Sequence, residues 1–179
     1  MNIARLNWGC GPRPMPGWIN LDMLDIEGVD LCCDLRLGIP LSDNVFDYAV
    51  GIHVLQDFTW KELPTALAEV RRVLKPHGVL RLGLPDLNRA IDAYRRGEPQ
   101  YFYIPDEDAR SLGGKLVTQL VWYGSVRTPF TEDFAQELLE DAGFGHIRPC
   151  AFRQTHSEYE AIVALDNRER ESFYMEARK

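Results

Sequence analysis

Short apolar segments separated by turn residues run through the first half of the chain, and their lengths predict strands. An apolar run over 3–8 ends at Gly9, which indicates a buried strand that leads into a tight glycine turn. Two similar runs, 18–21 and 29–33, are each followed by an aspartate. Four residues between the first two runs forbid a regular helix there, so we expect a loop connection. These residues are Pro12, Pro14, Pro16 and Gly17.

The spacing changes to a helical period after a fourth predicted strand over 45–52. Apolar residues at intervals of three and four predict a helix of about 60–74, with Thr59 and Glu62 at capping-box spacing. Pro64 falls within its first turn and can break this turn from the rest of the helix. A fifth strand is expected over 79–84.

The second half of the chain predicts two more helices and two more strands. Asp86 can cap a helix over 87–96, and Thr131 begins a second amphipathic helix that Gly143 closes. Strands are expected over 147–152 and 172–177, the last one antiparallel at or near the sheet edge. The order strand, helix, strand predicts an α/β fold with a doubly wound, mostly parallel sheet.

One domain accounts for the whole chain, since 179 residues suit a single core and no composition break divides them. The irregular stretch over about 98–130 is interpreted as an insertion that forms a lid or an acceptor surface. It contains an aromatic cluster, Tyr101 to Tyr103, and a second aromatic pair, Trp122 and Tyr123.

Composition narrows the classes of partner. The chain is 45% hydrophobic and 26% charged, as in ordinary globular proteins, and it has no segment of about 20 apolar residues and no secretory leader pattern. We therefore expect a cytoplasmic protein without a membrane partner. The net charge of -7 argues against nucleic acid, because phosphate binding needs a basic surface.

The four cysteines do not have the spacing of a metal site. Cys10, Cys32, Cys33 and Cys150 form no C-x-x-C pair, and a disulfide framework does not suit a reducing compartment. We interpret them as core or loop residues and expect no metal.

The ends of the predicted strands carry the candidate chemistry. Ligands of open parallel sheets bind outside the carboxyl ends of the strands, where the strand order reverses. At those ends the sequence places a glycine turn, two carboxylates and a histidine, which suit the charged tail, the ribose and the base of a nucleoside ligand. The four ends are Gly9-Cys10-Gly11, Asp22, Asp34 and Ile52-His53.

The run from Leu6 to Asp86 resembles the core of a class I S-adenosylmethionine-dependent methyltransferase, in a compact variety whose first loop reads N-x-G-C-G before a W-I-N-x-D strand. The block over 46–55 and the block over 69–80 resemble the fourth strand, the following helix and the fifth strand of that superfamily. The resemblance implies a Rossmann-like fold, S-adenosylmethionine as cofactor and S-adenosylhomocysteine as product.

Carried over by position, the resemblance implies a cofactor site at the strand ends. Gly9, Cys10 and Gly11 would line the amino-acid end of the cofactor, and Asp22 would hold the ribose. The adenine and the sulfonium would lie against the remaining residues. Met23 would pack on the adenine, Asp34 would accept from its amino group beside the Leu35 backbone, and Ile52 and His53 would lie near the sulfonium.

The chain departs from the superfamily pattern in its first loop. Asn7 replaces an acidic residue, Arg13 replaces a third glycine, and the first helix is missing. Without that helix, its dipole cannot help to hold the cofactor carboxylate, which implies weaker binding.

Methyl transfer is an in-line displacement, so alignment can supply much of the rate and a general base is optional. His53 is the candidate base by position and by an ordinary pKa of about 6.5, although it can instead only pack beside the cofactor. Asp57 and Tyr123 are candidate acceptor contacts. The acceptor is expected to be a small molecule or a carrier-linked or glycan-linked group.

Two other functions stay open from the sequence. A cofactor-binding subunit without its own activity is favoured by the shortened loop and the lack of a clear catalytic dyad. A nicotinamide-dependent dehydrogenase is disfavoured because G-x-G-x-x-G fails and Asp22 follows the glycines too soon. With few residues before the first strand, the 98–130 insertion or a partner subunit must cover the cofactor, so we expect a homodimer.

Overall fold

Within residues 3–179, which the computed structural model describes, seven strands form one sheet in the order β3-β2-β1-β4-β5-β7-β6. The first five strands are parallel to one another, and β7 is antiparallel to both β5 and β6. The predicted mostly parallel α/β sheet with an antiparallel last strand is confirmed. The strands are β1 (Arg5–Trp8), β2 (Ile19–Asp22), β3 (Leu31–Cys32), β4 (Phe46–Ile52), β5 (Leu74–Pro85), β6 (Gly145–Cys150) and β7 (Ser172–Arg178).

Three of the observed helices were expected. Helix α1 begins later than predicted because Pro64 lies in its first turn and the capping pair forms a separate turn before it, where Thr59 N and Oγ1 both donate to Glu62 Oε2. Asp86 caps α2 by accepting from Arg89 N at 3.2 Å. The helices are α1 (Leu63–Val73), α2 (Leu87–Arg95), α3 (Leu112–Val121) and α4 (Glu132–Asp141).

Strand β5 begins five residues before its predicted start. Residues 75–78 lie between the predicted helix and the predicted strand, but Leu74 already pairs with Phe46, and the register then shifts before Val79 pairs with Tyr48. His77 adopts a left-handed conformation with φ +66, which accommodates the irregularity inside the strand.

A hydrogen-bond network holds the loop that connects β1 to β2, where the sequence forbade a helix. The Asn20 side chain is its centre: its Oδ1 accepts from Asn7 Nδ2 at 2.9 Å and from Met15 N at 2.7 Å, while its Nδ2 donates to Met15 O at 3.1 Å. The proline loop is therefore fixed from both neighbouring strands by buried amides, without a helix.

The two faces of the sheet are covered differently. Leu6, Trp8 and Leu80 belong to a large core with α1 and α4 on one face. On the other face, Trp18, Tyr48 and Val50 pack against Ile162, which lies in a 3-10 turn over Glu160–Val163. An irregular segment therefore covers part of the face that a helix would occupy in a fully doubly wound sheet.

The 98–130 insertion contains a helix that its sequence did not predict. Leu112, Leu116 and Leu120 of α3 pack against Ala90 and Ala93 of α2, so the insertion is anchored on the helix that follows β5. None of the helices described over residues 3–179 is both long and apolar enough to span a membrane.

Candidate functional site

A cleft of about 550 Å³ opens at the carboxyl ends of the central strands. It lies beside β1 and β4, where the strand order reverses, which is the usual ligand position in open parallel sheets. Its size is within the range of small-ligand pockets. Its lining includes Gly9, Gly11, Asp22, Met23, Asp34, Leu35, His53, Val54, Asp57, Phe58, Ser125 and Arg127.

The turn after β1 requires glycine for two separate reasons. Gly9 and Gly11 have φ values of +64 and +52, which side chains rarely adopt. A Cβ on Gly9 would also lie 2.2 Å from Cγ2 of Val54, whereas a Cβ on Gly11 would meet open space. Gly9 is therefore fixed by close packing against the loop after β4, and Gly11 leaves its side of the cleft open.

Asp22 closes the base of this turn. Its Oδ2 accepts from Gly11 N at 2.7 Å and its Oδ1 from Leu24 N at 3.0 Å, while only 8% of the residue is exposed. Each carboxylate oxygen can accept more than one hydrogen bond. The carboxylate therefore orders the turn and keeps capacity for donors of a ligand such as ribose hydroxyls.

Asp34 is engaged within its own loop. It caps the short 3-10 turn over Leu35–Leu37 and accepts from Arg36 Nε at 2.8 Å and Nη2 at 2.7 Å. The hydrogen bond from Arg36 lowers the pKa of Asp34, so the group is ionised at neutral pH. A ligand amino group would share this carboxylate with the guanidinium.

A second cavity of about 310 Å³ adjoins the cleft. His53, Asp57 and Ser125 line both spaces and therefore lie at the boundary between them. Strand β5, helix α2, the insertion and the segment before β7 supply the rest of the wall. Among these lining residues are Gln56, Pro85, Asp86, Leu87, Tyr101, Gln119, Leu120, Trp122, Phe130, Arg168 and Glu171.

The pKa values of His53 and Asp57, which line both spaces, are shifted in opposite directions. Burial, with a smaller repulsion from Arg168, lowers the pKa of His53 to about 3, and its Nε2 lies 2.7 Å from Ser172 Oγ. The imidazole is therefore neutral at pH 7 and a weak proton acceptor. Asp57 has an exposed edge, yet neighbouring protein atoms desolvate its carboxyl group and raise its pKa to about 6, closer to the working range of a base.

Three predicted site residues do not line either space. Cys10 is buried, its N–H donates to Leu21 O at 3.1 Å, and burial raises the pKa of its thiol to about 11. Ile52 packs on the opposite side of β4 with the Trp18 cluster. Tyr123 is exposed, and its hydroxyl donates to Asp108 on the surface of the insertion.

A family model described as a methyltransferase domain matches residues 7–82, which include the glycine turn, Asp22, Asp34 and His53. This match and the strand order agree on one assignment. Residues 7–82 match a methyltransferase domain, and the chain has the class I S-adenosylmethionine-dependent methyltransferase fold. S-adenosylmethionine is accordingly the methyl donor of this enzyme and S-adenosylhomocysteine its product, and the dehydrogenase alternative is set aside.

Solved structures similar to this methyltransferase share its fold over nearly the whole chain. A methyltransferase from Methanosarcina mazei is 19% identical with a TM-score of 0.61, and the match covers 100% of this chain and 93% of that one. One from Archaeoglobus fulgidus is 16% identical with a TM-score of 0.59, covering 99% and 86%. No curated protein sequence matches the methyltransferase.

A third similar structure holds ligands. The 1,6-didemethyltoxoflavin-N1-methyltransferase of Burkholderia thailandensis, with its acceptor and S-adenosylhomocysteine bound, is 16% identical with a TM-score of 0.55. The match covers 98% of this methyltransferase and 70% of that chain. At these identities the likeness concerns the fold.

The insertion contributes site residues of the methyltransferase that sequence reasoning missed. Ser125 and Arg127 reach the cleft although they follow β4 by more than seventy residues, because Arg127 N and Thr128 N donate to the backbone oxygen of Gln56. No local pattern marks this pairing. Among residues 3–179 no group of three or more His, Cys, Asp or Glu side chains is arranged to hold a metal ion.

Proposed function

We propose that this methyltransferase transfers a methyl group from S-adenosylmethionine in the larger cleft to a small molecule, or to a small group linked to a carrier, in the adjoining cavity. The observation that carries this proposal is the shared boundary, where His53, Asp57 and Ser125 line both spaces. A methyl group can pass only between ligands that meet directly, and ligands in two adjoining spaces can meet at this boundary.

For the cofactor, we propose the position that the resemblance implies, restricted to residues that line the cleft. Gly9 and Gly11 face its amino-acid end, Asp22 accepts from the ribose, and Met23 packs on the adenine. Asp34 and the Leu35 backbone lie beside the adenine amino group, and His53 beside the reacting methyl group. The open space at Gly11 and the spare acceptor capacity of Asp22 suit this ligand.

The protein's part in the chemistry is mainly alignment and removal of water. His53 is neutral, so it does not add a positive charge beside the sulfonium, whereas an imidazolium there would repel it. Where the acceptor must lose a proton, Asp57 is the better-suited base, because its pKa is closer to neutral than that of His53.

The second candidate is a cofactor-binding subunit that has no turnover of its own. Two observations favour it: Arg36 already pairs with Asp34, the carboxylate proposed for the adenine, and no helix lies between β1 and β2. Binding of the cofactor without turnover of any acceptor, together with a stable partner protein, would support it. The homodimer expected from the sequence stays a prediction.

Calorimetric titration with S-adenosylmethionine and S-adenosylhomocysteine tests the cofactor site. We expect Asp22→Ala to weaken both by at least about tenfold, because a charged acceptor for the ligand hydroxyls is lost. Asp25→Ala, an exposed acid on the same loop, is the matched control and should bind like the unaltered protein. Circular dichroism checks that the variant still folds, since Asp22 also accepts two backbone N–H groups. Failure of the unaltered protein to bind either nucleoside would contradict the proposal.

A further inference from the structure

Gln56 lines the 310 Å³ cavity, and its side-chain oxygen is a buried hydrogen-bond acceptor. Gln56 is 6% exposed, and its Nε2 donates to His53 O at 2.6 Å, which identifies Oε1 as the free acceptor. Within residues 3–179, no protein donor reaches Oε1. A buried acceptor without a partner destabilises the fold unless a ligand or a water donates to it.

The position of Gln56 is fixed from the other side by the insertion. Its backbone oxygen accepts from Arg127 N at 2.8 Å and from Thr128 N at 3.1 Å. The residue also belongs to the 3-10 turn over Leu55–Asp57, which shortens the loop after β4. The free oxygen is therefore held in place and does not need to reorganise when a ligand donor binds.

The charged groups of the cavity are mainly acidic, and one of them is free. Arg168 pairs with Glu171 at 3.0 Å, and Asp86 pairs with Arg89 at 3.1 Å. The Asp57 carboxylate has no hydrogen-bond or ion-pair partner in the part of the chain described, and only a longer-range attraction from Arg127 favours its charge. The cavity thus disfavours anions and presents a second unsatisfied acceptor directly after Gln56 in the chain.

The remaining wall is apolar and aromatic. Leu87, Leu120, Tyr101, Trp122 and Phe130 line the cavity. Burial raises the pKa of Tyr101 to about 12, so its hydroxyl stays protonated and adds no negative charge. A ligand for this space needs an apolar or aromatic body and a polar end that donates hydrogen bonds.

We propose that the methyl acceptor is a small amine with an apolar or aromatic group, whose N–H hydrogens bind Gln56 Oε1 and the Asp57 carboxylate. The inference rests on the proposed function and specifies its substrate class. A carboxylate or phosphate would meet like charges in the cavity. An alcohol has a single O–H and satisfies one of the two acceptors, whereas an amine can satisfy both.

The transfer step balances with Asp57 as the proton acceptor. An alkylamine is protonated near pH 7, so its nitrogen first releases one proton to the Asp57 carboxylate and gains a free lone pair. This lone pair forms the new N–C bond, while the S–C bond breaks and its electron pair stays on the sulfur. The methylated nitrogen leaves as an ammonium group. The protonated carboxyl group returns that proton to water through its exposed edge.

Binding of three probes of similar size tests the inference. The protein is titrated by calorimetry with 2-phenylethylamine, 2-phenylethanol and phenylacetate, each with and without saturating S-adenosylhomocysteine. We expect the amine to bind at least about tenfold more tightly than the alcohol and phenylacetate to bind most weakly. Equal or tighter binding of the alcohol or the anion, or no measurable binding of the amine, would overturn the inference.

Two variants test whether the preference for the amine over the alcohol depends on the Asp57 carboxylate and on Gln56 Oε1. Asp57→Asn, which changes an exposed residue, should weaken the amine by at least about tenfold and leave the alcohol nearly unchanged. Gln56→Leu should weaken the binding of both the amine and the alcohol, because each donates a hydrogen bond to Gln56 Oε1. Asp92→Asn on the exposed side of α2 is the charge control and should match the unaltered protein. Unchanged amine affinity in Asp57→Asn counts against the inference. Amine selectivity without any binding of S-adenosylhomocysteine would instead contradict the proposed function alone.

Discussion

The surroundings of His53 decide what its imidazole can do. The ring lies in the wall between two cavities, where burial opposes a positive charge and Arg168 adds repulsion. Its Nε2 is close to Ser172 Oγ, on the strand antiparallel to β5. The residue is thus a neutral, oriented group beside the proposed methyl position.

The low pKa of His53 predicts a specific pH dependence. The folded pKa is about 3 and the unfolded value about 6.5, so protons bind the unfolded chain more readily between these values. Stability that is present above about pH 6.5 is therefore lost progressively as the pH falls toward 3. In NMR titration, the His53 ring resonances should stay constant from pH 8 to pH 5.

The effect of His53 on the pH dependence of stability can be measured separately from the effects of the other three histidines. In His53→Asn, the loss of stability on acidification below pH 6.5 should be smaller than in the unaltered protein, as measured by urea denaturation at several pH values. A His53 imidazole that titrates near pH 6.5 would show that the ring is hydrated rather than buried.

At the scale of elements, the glycine turn after β1 joins two strands and the loop after β4. Gly9 contacts Val54 so closely that the turn and this loop must be placed together. The same loop carries His53, Gln56 and Asp57. A change at Gly9 therefore affects the ligand end of both β1 and β4.

Gly9→Ala should destabilise the fold by about 2–4 kcal/mol, because a positive φ and an overlap with Val54 act together. Gly97→Ala is the matched control, since Gly97 has φ +71 but open space around its Cβ position. The control should cost about 1 kcal/mol, which reflects the backbone alone. Urea denaturation measures both, and equal losses would show that Val54 moves aside without cost.

At the scale of the whole molecule, a buried ion network attaches the segment before β7 to the sheet. Arg81 of β5 donates to Asp166 Oδ1 and to Glu176 Oε1, both at 2.8 Å, with its side chain fully buried. Asp166 also accepts from Arg153 N, and Glu176 from Thr155 Oγ1. These contacts hold an irregular segment on the face that carries the smaller apolar cluster around Trp18 and Ile162.

Arg81→Met should lower the free energy of unfolding by about 3–5 kcal/mol, because it leaves two buried carboxylates without their counter-charge. Arg96→Met removes an exposed pair with Glu98 and should leave the free energy of unfolding nearly unchanged. Chemical denaturation compares the two variants. Equal effects would mean that water reaches the Arg81 site.

Much of the fold followed from local patterns in the sequence. Apolar runs and turn residues predicted β1, β2 and β4, Asp86 marked the start of α2, and the prolines excluded a helix after Gly9. These signals are local because strand and helix periods, caps and proline geometry act over a few residues. Helix α3 was missed because its apolar residues lie in a mixed segment and are stabilised by packing on α2.

Part of the candidate site could also be predicted from the sequence. Gly9, Asp22, Asp34 and His53 each follow a predicted strand directly, and parallel strands bring their carboxyl ends to one edge of the sheet. The order of residues along the chain therefore determined which groups meet in the cleft. It did not separate Ile52 from its neighbour His53, because the face of each side chain depends on strand register.

The tertiary structure alone decided how these groups behave. Ser125 reaches the cleft from a distant insertion, Gln56 keeps an unpaired oxygen, and burial separates the pKa values of His53 and Asp57 in opposite directions. Sequence by itself determined the strand ends and the methyl-transfer class. The second cavity and its acidic, hydrogen-bond-accepting wall arise from packing between segments far apart in the chain, because desolvation and unpaired polar atoms depend on every neighbour in space.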